Sequence, residues 1–182
     1  MLIKFKNHSP KLGQNVFVAE GAKIIGEIEI GDESSIWFNC VLRADVNFIK
    51  IGKRTNIQDL STVHVWHREF DEKGKLKDAG FPTIIGDDVT IGHNCVIHAY
   101  VIKNRVLIGM NAVIMDNALI EEDSIVGAGS VVTKGKKFPP RSLILGNPAK
   151  FVRELNDEEV SFLKQSALNY VDFKNEFLKD LQ

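Results

Sequence analysis

Charge of one sign, cysteine and long apolar runs are all scarce in this sequence. Lys and Arg number 23 against 24 Asp and Glu, a net charge of -1, so composition offers no electrostatic case for nucleic acid or an anionic membrane. Cys40 and Cys95 are the two cysteines, too few for a disulfide framework and suited to a reducing compartment. The opening residues, Met1 to Asn7, lack the apolar core of a signal peptide, and no window approaches the roughly 20 apolar residues of a membrane span. These absences predict a soluble, cytoplasmic protein with no membrane and no nucleic-acid partner; its substrate, expected to be a small molecule, must be argued from its site residues. At 182 residues the chain is long enough to bury a full core.

What the sequence does have is a period of six. Aliphatic residues stand at Val18, Ile24, Ile30, Ile36 and Leu42, then at Ile51, Ile57 and Val63, then at Ile85, Ile91 and Ile97. The series continues through Ile102, Ile108, Ile114, Ile120, Val126 and Val132. Four residues after most of them comes a small or β-branched residue, among them Ser34, Cys40, Ser61, Cys95, Val101 and Ala112. A helix repeats every ~3.6 residues and a lone strand pairing every ~2, so neither explains two column types in a strict six. A parallel β-helix does: each hexad supplies one short strand and a corner, the aliphatic fills the core, and the small residue sits where corners crowd. On this reading Cys40 and Cys95 pack in the interior rather than react. Met110 and Met115 are likewise expected to pack.

Hexads of this kind resemble the left-handed hexapeptide β-helix, in which three hexads complete one triangular turn. The handedness and the three-per-turn count come from that resemblance. The fold expected is therefore all-β with a C-terminal helix, a left-handed parallel β-helix of hexapeptide repeats. Three breaks interrupt the period, all on the third face. Three residues are added between Leu42 and Ile51, one is missing between Ile97 and Ile102, and a charged stretch at about 67–81 forms a protruding loop. The repeat is expected to end after Val132, because Phe138-Pro139-Pro140 reads as a ladder terminator. Asn156 offers a helix cap with Glu159 three residues on, and Val160, Leu163, Ala167, Tyr170, Val171, Phe177, Leu178 and Leu181 follow at near-helical spacing. The organisation predicted is a β-helix domain over 1–150 and a helical segment over 151–182 that packs back on it.

Laid out in turns, Leu42, Val63 and Ile97 share one face, so Arg43, His64 and His98 form a vertical column. Strands about 4.8 Å apart let two imidazoles tilt onto one ion with bonds of about 2.0 Å. His93 belongs to the preceding face, above Asp59, and within one chain should not reach that ion. A threefold assembly setting the second face of one chain against the third face of the next would supply it. It would also bring Asp59 of one chain near Arg43 of another. His8 and His67 are exposed imidazoles on this reading.

The residues now in hand resemble the gamma-class carbonic anhydrase family. The likeness rests on Arg43-Ala44-Asp45, Asn56-Ile57-Gln58-Asp59, His64 and the run Val89 to His98. It continues through Leu107-Ile108-Gly109-Met110, Gly127 to Val132, Gly146-Asn147-Pro148-Ala149-Lys150 and Arg153. The resemblance implies a homotrimer with zinc, iron or another divalent metal between subunits, held by His64 and His98 of one chain and His93 of the next. It implies reversible hydration of carbon dioxide to bicarbonate by a metal-bound hydroxide. Gln58 would orient water or bicarbonate, and Arg43, Asp45 and Asp59 would form the interfacial ion-pair network. The best-known members carry one glutamate directly after the Arg-X-Asp aspartate and another three residues past the first histidine; here those positions hold Val46 and His67. His67 is the candidate proton shuttle, since imidazole as a side chain can take up and release a proton near neutral pH.

Two other readings share the hexads. A hexapeptide acyltransferase or thioesterase acting on coenzyme A derivatives would need one histidine base and a slot for the pantetheine arm. A non-catalytic trimeric scaffold would need no complete ligand set.

Overall fold

The computed structural model describes residues 1–180. The chain is a left-handed parallel β-helix of triangular section followed by one helix. Each hexad gives a strand of about two residues, and parallel pairing places equivalent hexads of successive turns in register. Ile30, Ile51, Ile85, Ile102 and Ile120 stack on the first face. Ile36, Ile57, Ile91, Ile108 and Val126 stack on the second. Leu42, Val63, Ile97, Ile114 and Val132 stack on the third. All of these side chains are buried, and each contributes roughly 1.5–3 kcal/mol by leaving water. The small residues of the second column, Ser34, Cys40, Ser61, Cys95 and Ala112, are fully buried at the corners.

Corners require one residue in the left-handed region. Between the second and third faces that place is taken by Asn39, Asn94 and Asn111 at φ 57, 55 and 59°, a conformation asparagine adopts at low cost. Between the first and second faces, Arg54 forks onto Asp88 through Nε at 2.6 Å and Nη2 at 2.9 Å, tying one turn to the next.

Three expectations need correction. The repeat does not end at Val132: Phe138 and Ile144 continue the six-residue series, pair in parallel with Ile120 and Val126, and are buried. Pro139 and Pro140 fall at the corner, where the backbone need not donate to a ladder, and Pro139 O instead accepts from Ser142 Oγ at 2.6 Å. Val101 is not in the small interior column. The missing residue before Ile102 carries Tyr100 inside, and Val101 becomes a strand residue beside Ile84 and Leu119. Met110 and Met115 do not pack within the chain; they lie on outward positions and are half exposed.

After Ile144 the chain turns back through an antiparallel pair, Ser142–Gly146 with Ala149–Glu154, and the helix runs Asp157–Asp180. Its start is a reciprocal cap: Asn156 Oδ1 accepts from Glu159 N at 2.8 Å, and Glu159 Oε2 accepts from Asn156 N at 2.9 Å. The helix lies on the second face, burying Leu163, Ser166, Ala167 and Lys174. Trp37 meets Tyr170 and Phe177 edge-on at 5.5 and 5.3 Å. Lys174 is completely buried, its Nζ bonded to Glu33 Oε2 at 2.7 Å. Leu181, expected in the helical series, and Gln182 lie outside the described residues.

The insertions on the third face cooperate. The protruding loop contains an antiparallel hairpin, Glu69–Phe70 with Leu76–Asp78. Asn47, from the three-residue insertion, is buried and its Nδ2 donates to Trp66 O at 3.0 Å and Ala79 O at 2.8 Å, clamping both ends of the loop.

Candidate metal centre

His64 and His98 end the strands Thr62–His64 and Val96–His98, which pair in parallel with the two histidines opposite each other. Each follows a fully buried aliphatic, Val63 or Ile97, so strand alternation turns both rings outward. His64 Nδ1 stands 3.1 Å from His98 Nε2. The outer nitrogens are held by carboxylates: His64 Nε2 by Asp45 Oδ1 at 2.9 Å, and His98 Nδ1 by Asp116 Oδ1.

An ionised carboxylate only accepts, so each outer nitrogen carries the hydrogen and each inner nitrogen presents a bare lone pair. Two lone pairs facing each other repel unless a cation lies between them. The 3.1 Å gap is close to the ~3.3 Å separation of two nitrogen ligands on a tetrahedral ion with bonds of about 2.0 Å. The donor set thus fits a divalent metal, with Asp45 and Asp116 as outer carboxylates that fix the rings. Burial holds His64 below the ordinary 6.5, against the opposing hydrogen bond to Asp45, which keeps it in the neutral form a metal needs. Burial alone would raise Asp45, but hydrogen bonds from His64, its own backbone and Arg43 outweigh it and hold it below 3.8.

The other anticipated residues fall nearby in separate groups. Arg43, two residues before Asp45 on the same outward side of the strand, pairs with Asp45 of its own chain. His93, on the second face, has Nδ1 2.7 Å from Asp59 Oδ2, and Asp59 Oδ1 also accepts from Phe38 N at 3.1 Å. Among the described residues of the single chain no three His, Cys, Asp or Glu side chains converge on one metal position. Gln58 is buried, and its Nε2 donates to Asn56 Oδ1 at 3.1 Å. His67 stays half exposed beside Glu69, with Nε2 3.6 Å from its carboxylate. Together with His8 and Asp45 it lines a cleft of about 360 Å³.

Sequence reasoning missed Asp116, Trp66 and Asn47. Asp116 lies 18 residues after His98, three nominal hexads, although the residue missing before Ile102 shortens that turn to 17 and sets Asp116 one place past register; a search at three-hexad offsets would have found it. Trp66 lies 5.0 Å from the His67 ring and 6.3 Å from the His98 ring, and only the folded loop shows it there.

Residues 99–134 match the bacterial transferase hexapeptide (six repeats) family. A probable carbonic anhydrase of Methanocaldococcus jannaschii is 48% identical over 160 residues, covering 88% of this chain and 93% of that one. Gamma carbonic anhydrase 2, mitochondrial, of Arabidopsis thaliana is 43% identical over 171 residues, covering 94% of this chain.

The chain belongs to the gamma carbonic anhydrase family.

This family member spans 59% of the length of its Arabidopsis relative. Among solved structures, a Bacillus cereus protein described as a putative acetyltransferase superposes with a TM-score of 0.89 at 40% identity, covering 100% of this chain and 98% of that one. Gamma carbonic anhydrase relatives and proteins described as transferases thus share the scaffold, and the side chains mounted on it carry the functional argument.

Proposed function

We propose that this gamma carbonic anhydrase family member is a metal-dependent enzyme that hydrates carbon dioxide reversibly to bicarbonate at a site shared between subunits of a homotrimer. The observation that carries the reading is the facing pair of bare imidazole nitrogens, 3.1 Å apart, with both outer nitrogens tied to carboxylates. His64 and His98 would hold the ion with His93 of the partner subunit. A divalent ion in that position, zinc or iron among them, supplies Lewis acidity that brings the pKa of water to about 7.

The chain's own residues do the rest. Asp45 and Asp116 keep protons on the outer nitrogens and so keep the inner ones free. Gln58 offers Oε1 as an acceptor for an O–H of water or bicarbonate, because its Nε2 is committed to Asn56. His67, in the cleft that Asp45 also lines, carries the released proton toward solvent. Support for the trimer comes from the exposed apolar residues around the histidines, Leu60, Trp66, Val96, Met110 and Met115, a band that a partner subunit would cover.

A second reading, thioester hydrolysis or acyl transfer on coenzyme A derivatives, has one observation in its favour. A largely apolar groove of about 370 Å³ runs along the second face past His93, Met110 and Gly127. One experiment separates the two: metal content per chain, with stopped-flow carbon dioxide hydration and thioester hydrolysis on protein loaded anaerobically with iron or with zinc. One metal per chain and hydration that disappears in H64A, H93A and H98A supports the anhydrase; stoichiometric metal with thioester turnover alone transfers the site to the second reading.

A further inference from the structure

Gln58 is the inner end of a hydrogen-bonded chain that begins on the C-terminal helix. Its Nε2 donates to Asn56 Oδ1 at 3.1 Å. Asn56 Nδ2 donates to Thr90 Oγ1 at 3.0 Å and, at 3.4 Å, to the backbone carbonyl of Val89. Thr90 Oγ1 lies 3.2 Å from Ser166 Oγ of the helix. Asn56 is fully buried, and Gln58, Thr90 and Ser166 are buried except where they edge the groove, so little water competes for these bonds and the low dielectric strengthens them.

The chain has a direction. The Val89 carbonyl only accepts, which fixes Asn56 with its nitrogen toward Val89 and Thr90 and its oxygen toward Gln58. Gln58 must then turn its nitrogen to Asn56 and its oxygen to the groove that also holds His93. If Thr90 ceased to accept, the Val89 carbonyl would still fix the direction of Asn56, but only the longer 3.4 Å bond would hold its nitrogen, and Gln58 would lean on a looser partner.

We infer that Thr90 and Ser166 are positioning residues for Gln58, so that the docked C-terminal helix holds the Gln58 amide in place with its oxygen toward the reacting water. The helix is well placed for this. Leu163, Ala167 and the buried Lys174 fix it on the second face, and Ser166 Oγ lies 3.2 Å from Thr90 Oγ1. The inference rests on the hydration reading for its catalytic consequence, but the orientation of Gln58 can be measured without it.

The test uses the full-length, metal-loaded protein. In T90V, kcat and kcat/KM fall together by roughly tenfold, and in S166A by roughly threefold, the pattern of a lost transition-state interaction. Metal content stays at the wild-type level in both, and T90S restores the rate. On a Q58A background T90V has no further effect, because the group it positions is gone. Side-chain amide resonances of Gln58, assigned by their absence in Q58A, shift in T90V and S166A. The inference is overturned if those resonances stay in place, or if T90V costs as much activity without Gln58 as with it. If the wild-type protein hydrates no carbon dioxide, the hydration reading fails, and the amide resonances alone uphold or overturn the positioning role.

Discussion

His64 and His98 are 34 residues apart in the chain, yet their strands are adjacent, and Nδ1 of the first lies 3.1 Å from Nε2 of the second. The long separation comes from the loop inserted between them, which leaves the turn geometry untouched because it projects from a corner. Two imidazoles held this close, each with a carboxylate behind it, are arranged for a cation.

Asp116 is expected to act on the metal through His98. Replacing it with Asn leaves the ring in place but removes the charge that fixes its tautomer, and such substitutions cost roughly 10–100-fold in metal affinity. Competition with a chromophoric chelator measures the loss; unchanged affinity in D116N would mean that the outer carboxylate contributes nothing.

His93 is held by Asp59 on a different face from His64 and His98. In H93A the far-ultraviolet circular dichroism and the thermal midpoint should match wild type, while bound metal falls to trace levels. Full metal occupancy in that variant defeats the shared site.

Glu33 couples the helix to pH. Its carboxyl is held below the ordinary 4.5 by hydrogen bonds from Lys174 and Asn15. A depressed folded-state pKa gives stability that is fully present above about 4.5 and lost as pH falls through the lower folded value. Wild-type thermal midpoints should therefore decline on acidification below that point more steeply than those of E33Q. At pH 7, E33Q removes the charge that pairs with buried Lys174, whose Nζ keeps its bond to Asn175 Oδ1 at 2.8 Å, at a cost of about 1 kcal/mol given that Glu33 is partly in water. Urea titrations at pH 7 and across the acid range check both parts; parallel pH profiles would sink the linkage.

Cys40 and Cys95 are fully buried, and desolvation pushes their thiols up to about 12 and about 11. A thiol titrated with a disulfide reagent at pH 8 reacts as thiolate, so native protein should show no rapid labelling and denatured protein two equivalents. Rapid native labelling of either would place it outside the core.

The six-residue columns were legible because a core-facing aliphatic and a corner-facing small residue are chemically distinct and recur without helical or simple strand periodicity. The same reasoning failed at Val101, where one deleted residue moved Tyr100 inward, and at Phe138, where prolines read as terminators sit at a corner that requires no donor. His64, His93 and His98 could be singled out from hexad position. Asp116 could have been, by its offset of three hexads from His98.

The sequence by itself determined the β-helix, its stacked aliphatic faces and the alternation that turns His64 and His98 outward, since each follows from a side chain's preference for core or water at a fixed period. Only the tertiary structure decided which ring nitrogens face each other, which carboxylates stand behind them, how Asn47 clamps the loop and where Ser166 meets Thr90. Those depend on rotamers, on insertions meeting in space and on how a helix lies against a sheet, and a local period in the chain specifies none of them.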